Sequence, residues 1–97
     1  MRYIKTYEYI SRPQKGEYVI CEEGSGIPEV INFLEQNIGK IVDIDGNKFE
    51  VLYDNVPPEL DYSFYKGKRL MEIHEIMHHS FDIEILEAIL SGNKYNL

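Results

Sequence analysis

GKIVDIDGNKFEVLYDNV, the stretch from Gly39 to Val56, decides the fold of this chain. Apolar residues alternate on both sides of Asp45-Gly46, and a tight turn needs residues that tolerate positive φ, so the stretch predicts a β-hairpin. Side chains alternate between the faces of a strand. Phe49, Val51 and Tyr53 therefore share one face of the second strand, and Ile44 of the first can meet that face across the turn. A second glycine-led run, GEYVICE from Gly16 to Glu22, predicts another strand. In it Tyr18 and Ile20 alternate with Val19 and Cys21, which leaves few polar positions and implies burial on both sides. These strands are short, and together they predict a small, strongly bent sheet.

Between the two glycine-led runs, IPEVINFLEQNIG reads as a helix over about 27–37. Pro28 suits its first turn, where a missing N–H costs nothing, and Glu29 complements the positive end of the dipole. Ile27, Val30, Ile31 and Leu34 follow the spacing of one apolar face, and Gly39 is expected to end the helix as a left-handed residue. Beyond Tyr53, Pro57-Pro58 excludes a central strand. Tyr62, Phe64 and Tyr65 then predict an edge segment, Lys66-Gly67-Lys68 a turn, and Arg69 to Ile73 a final strand. Ser80 is positioned to cap a last helix over about 81–91, with Asp82 and Glu84 in its first turn. Phe81, Ile85, Ala88 and Ile89 would form its apolar face, with Leu86 and Leu90 beside it. At the other end Arg12-Pro13-Gln14-Lys15-Gly16 is a turn, and residues 2–10 read as an extended segment. The expected architecture is α+β and a single domain over 1–97. It is an antiparallel sheet or small barrel of about five strands, with one inserted and one C-terminal helix.

The 97 residues carry 17 acidic and 10 basic side chains, for a net charge of −7. Such a chain is repelled by phosphate backbones and anionic lipid unless its cations are concentrated, so direct nucleic-acid binding is disfavoured. The one small basic cluster is Lys66, Lys68 and Arg69. Cys21 is the single cysteine, which excludes an internal disulfide and argues for a reducing compartment. No secretory signal and no apolar run long enough to span a membrane is evident, so the expected location is the cytoplasm.

His74-Glu75-Ile76-Met77-His78 matches the HExxH pattern, in which two imidazoles four residues apart on a helix bind zinc and the Glu activates a water. That reading needs a helix and a third ligand. The same segment also reads as a strand running into a loop, where positions four apart cannot clamp one ion. Cys21 in an apolar strand is expected to be inert. Acidic pairs such as Glu22-Glu23 and Asp43-Asp45 read as solvated charges, and Gly24-Ser25-Gly26 is too surrounded by Glu to hold an anion. An anion pocket for a small nucleotide would need Lys66, Lys68 or Arg69. The aromatic group Tyr62, Phe64 and Tyr65, with Glu59 and Asp61 as an acidic rim, reads in two ways. It is either a groove for an extended basic or proline-rich peptide, or the rings that close the barrel.

KTYEYISRPQKGEYVICEE, NIGKIVDIDGNKFEVLYDNVP and the ending IEILEAILSGNKYNL together resemble small proteins of phage and prophage type. Those are similar to Src-homology-3-like or KOW-like small barrels with an appended helix. The resemblance implies a non-catalytic accessory protein with no cofactor, one that acts against a host factor. The expected function is thus a cytosolic protein-binding module with a protein partner, in one form a basic host protein. An acidic nucleic-acid mimic that inhibits a host defence nuclease is the alternative, and an HExxH zinc hydrolase a third.

Overall fold

The hairpin forms where the sequence places it. Strands β2 (Gly39–Asp45) and β3 (Lys48–Leu52) pair antiparallel, with Asp45 opposite Lys48. Gly46 takes φ +63° and Asn47 an ordinary negative φ, the signs of a two-residue type II′ turn. The register shifts between Ile41 and Asp43, so Val42 is an extra, bulged residue. Because of it Ile41 and Ile44, an odd number of residues apart, both sit opposite core residues, Val51 and Phe49.

The structure is a computed structural model that describes residues 12–24 and 26–95; the extended segment expected at 2–10 lies outside them. Within it β1 (Tyr18–Cys21), α1 (Pro28–Gln36), β2 and β3 are followed by β4 (Lys68–Glu72), β5 (Ile76–Ser80) and α2 (Ile83–Tyr95). The fold is α+β, as expected. A five-stranded antiparallel sheet runs in the order β4-β3-β2-β1-β5. Consecutive strands β4 and β5 thus occupy opposite edges, although only a three-residue 3-10 turn, Ile73–Glu75, joins them. A flat five-stranded sheet would separate its edges by roughly 19 Å, whereas a 3-10 turn rises about 2 Å per residue. The sheet must therefore coil until its edges approach. Glu22 N–H donating to Glu75 O (2.8 Å) and Ile73 N–H to Asn47 O (3.1 Å) fix the corner. β4 and β5 do not pair with each other, so the sheet bends strongly without closing into a barrel.

The inner face carries the main core. Phe49 and Val51 are fully buried and Tyr53 nearly so, together with Val19, Cys21, Ile41 and Met71. Helix α1 lays Val30, Phe33 and Leu34 onto this face. Ile27, expected in the buried stripe, is 42% exposed. The stripe is rotated because Phe33 joins an aromatic trio, meeting Tyr53 at 5.5 Å and Phe64 at 5.6 Å edge-on. Such pairs contribute about 0.5–1.5 kcal/mol each beyond their area. Gly39 does not end α1 as a left-handed residue. Asn37 does so in an extended conformation, its Nδ2 donating to Phe33 O at 2.8 Å. Gly39 instead opens β2, where an added Cβ would lie 2.3 Å from Val51 Cγ1 and 2.8 Å from Tyr53 Cζ. Glycine is needed there for closeness.

Helix α2 packs on β1 and β5 from the opposite side. Ile20, which alternates with Val19 and Cys21, is buried there, as is Leu86; neither belongs to the main core. The expected cap Ser80 ends β5, and its hydroxyl accepts the Asp82 N–H at 3.0 Å. Asp82 caps the helix in its place, Oδ1 accepting the Glu84 N–H at 3.0 Å. The expected apolar face is not the buried one. Phe81 and Ile85 are 63% and 51% exposed, while Leu86, expected beside that face, is the residue buried against the sheet.

Candidate protein-interaction site

Pro57-Pro58 starts a 3-10 helix, Pro58–Ser63, where an edge segment had been expected. Side chains three apart eclipse in such a helix, so Glu59 and Tyr62 form one ridge and Leu60 and Ser63 another. Leu60 points into the core, which turns the Glu59–Tyr62 ridge to solvent. The next residue, Phe64, is buried among Phe33 and Tyr53. This corrects the reading of Phe64 as part of a surface groove: it is the anchor that holds the ridge. Tyr62 and Tyr65 on either side of it stand 67% and 69% exposed, with Glu59 and Asp61 exposed beside them.

The turn after the ridge is a tight hairpin. Lys66 and Gly67 take φ +53° and +80°, the two successive positive values of a type I′ turn. Tyr65 and Lys68 exchange both backbone hydrogen bonds, at 2.8 and 2.9 Å. Lys66 Nζ lies 5.5 Å over the Tyr65 ring, so this phenol face already meets a cation.

Arg69 ties the ridge to the rest of the molecule. Its Nη2 and Nε approach Glu23 Oε2 at 2.7 and 2.8 Å, and its Nη1 donates to Ser63 O at 2.8 Å. The guanidinium also lies 5.7 Å from the Phe64 ring centre. Glu23 precedes α1, the ridge precedes β4, and one side chain joins them. Arg69 is thus committed to structure and does not line an anion pocket with Lys66 and Lys68.

The HExxH segment is not a helix. His74 lies in the 3-10 turn, with Nδ1 3.8 Å from Glu72 Oε1, and His78 lies on β5, where four residues span more than a zinc clamp can. Among the described residues no three His, Cys, Asp or Glu side chains are arranged to hold a metal. His79 instead meets Glu17, Nδ1 to Oε1 at 2.7 Å, and Glu17 also accepts the Gln14 N–H at 2.8 Å. Glu17 is 6% exposed, a buried carboxylate that no sequence pattern announced. The pairing of Tyr18 with Ser80 and Val19 with His79 brings the two together across 62 residues. Burial pushes the Cys21 thiol up to about 12 and raises the neighbouring Tyr53 phenol, so both are neutral and inert.

Set against family models, curated proteins and solved structures, the chain matches none. No helix among the described residues is long and apolar enough to cross a membrane.

Proposed function

We propose that this chain is a non-enzymatic protein-binding module whose contact surface is the Tyr62–Tyr65 ridge. The observation that carries the reading is the exposure of two tyrosines on a backbone that Phe64 and Arg69 hold rigid. Aromatic side chains supply large contact area with few rotatable bonds, and burying them on binding costs little entropy when the backbone is already fixed. Glu59 and Asp61 beside the rings favour a basic partner. The phage-type accessory role rests on the resemblance alone, and a cytoplasmic site of action on the lone buried thiol. The nucleic-acid-mimic reading is less favoured, because Asp43 and Glu50 share their sheet face with Lys40, Lys48 and Lys68.

The test is quantitative capture of proteins from a host lysate by the parent chain and by the pair Tyr62→Ala and Tyr65→Ala. Both side chains are largely solvent-exposed, so the variant keeps its melting midpoint. Loss of a specific captured protein supports the ridge; an unchanged captured set refutes it.

A further inference from the structure

The sheet face turned away from the main core carries its charges in rows. Helix α2 covers that face over β1 and β5 and leaves it open over β2, β3 and β4. Cross-strand partners share a face, so the register reads the rows directly. Lys40, Leu52 and Lys68 lie side by side in the first. Asp43, Glu50 and Leu70 form the second, and Asp45, Lys48 and Glu72 the third.

Lys48 and Glu72 pair with each other at 3.3 Å. Among the described residues Lys40, Lys68, Asp43, Asp45 and Glu50 enter no ion pair. Asp43 and Glu50 stand directly opposite each other, an arrangement that like charges make unfavourable. Beside them Leu70 is 59% exposed, at the rim of a shallow concavity of about 190 Å³ that Asp43, Asp45 and Glu50 help to line. Among the described residues the open face thus presents a basic row without ion pairs, Lys40 lying 5.6 Å over the Tyr18 ring, next to an acidic row without ion pairs, with an apolar side chain at the end of the latter.

We propose that this face binds a second copy of the chain, face to face, about a two-fold axis that runs across the strands. That rotation reverses strand direction and lays each strand over its counterpart, so Lys40 of each copy faces Asp43 of the other, while Lys68 faces Leu70 and lies one strand across from Glu50. The contact is isologous, each attraction occurring twice. Charge complementarity selects this occupant. A uniformly basic partner would satisfy the acidic row and set Lys40 and Lys68 against like charge, whereas a second copy sets Lys40 on Asp43 twice over and brings Lys68 diagonally to Glu50. The open face spans only three strands and three rows, less than the roughly 800 Å² per partner of a standard interface, so the dimer is weak and dissociates on dilution.

The experiment is sedimentation equilibrium at up to about 1 mM protein, the range in which a weak association is populated. It uses the parent chain, a Lys40→Glu/Lys68→Glu variant and an Asp43→Lys/Glu50→Lys variant. The parent should dimerise, and each variant alone should lose at least about tenfold in association, because both of its rows then carry one sign. An equimolar mixture of the two variants should recover the dimer, since the two acidic rows of one meet the two basic rows of the other. These positions lie on the sheet face turned away from the core, and a melting curve of each variant serves as the check that it is folded. A monomeric parent at the highest concentration, or a dimer that survives both variants unchanged, overturns the proposal. So does a monomeric parent that binds a poly-lysine peptide at Leu70, which would assign the face to a basic partner. The ridge tyrosines are untouched in all three chains, so this outcome is independent of the lysate test.

Discussion

Replacing Arg69 with Met keeps the length of the side chain and removes its charge. The guanidinium makes two contacts to Glu23 and one to the Ser63 carbonyl, and covers the Phe64 ring. Without it the Glu23 carboxylate, whose side chain is 10% exposed, stays in place with no cation. Breaking a fully buried pair from one side costs about 3–5 kcal/mol, mostly the stranded charge. The Arg69 side chain is 24% exposed, so water relieves part of this and the expected loss is about 2–3 kcal/mol. In a domain of this size that lowers the melting midpoint by roughly 10–20 °C. Urea titration followed by circular dichroism measures it. Adding Glu23→Gln removes the stranded charge, so the double variant should recover roughly 1 kcal/mol or more relative to Arg69→Met alone. A single-variant loss under about 1 kcal/mol, or strictly additive losses in the cycle, would refute the reasoning. In that case the guanidinium would be a surface charge and the ridge would be held by Phe64 alone.

Two further outcomes follow from the core. Gly39→Ala places a methyl 2.3 Å from Val51 Cγ1, with Tyr53 blocking retreat, and is expected to cost about 2–3 kcal/mol in the same urea titration; a neutral substitution would mean that β2 can shift away from β3. Because burial raises the Cys21 thiol from 9.0 to about 12, stability is fully present below pH 9 and declines toward pH 12 as the unfolded chain ionises first, by about 1.4 kcal/mol per pH unit. Cys21→Val should remove the decline between pH 9 and pH 10, above which the buried Tyr53 phenol, also raised, adds its own; an unchanged slope between pH 9 and pH 10 would assign it to other groups.

The local rules of the chain were legible from its residues. Turn chemistry located the hairpin and the Lys66-Gly67 turn, although the hairpin's two turn residues are Gly46-Asn47, one position beyond the expected Asp45-Gly46 pair. Period-two alternation placed Phe49, Val51 and Tyr53 on one buried face, since the pleat leaves no choice. Helix boundaries and faces were only approximate. The buried side of α1 depends on where Phe33 finds Tyr53 and Phe64, and that of α2 on Ile20.

What tertiary structure alone decided concerns pairs of residues far apart in sequence. The HEIMH pattern has a helical spacing, yet the corner between β4 and β5 makes it a 3-10 turn and an edge strand, because the sheet must curl there. Phe64 and Tyr65 are alike as neighbouring aromatics, and only the placement of the Phe33 and Tyr53 rings determines which one is buried. Glu17 with His79, Arg69 with Glu23, and the charge rows of the open face all arise from strand register. Register is a relation between segments, set by which faces must be buried together, and no single segment contains it.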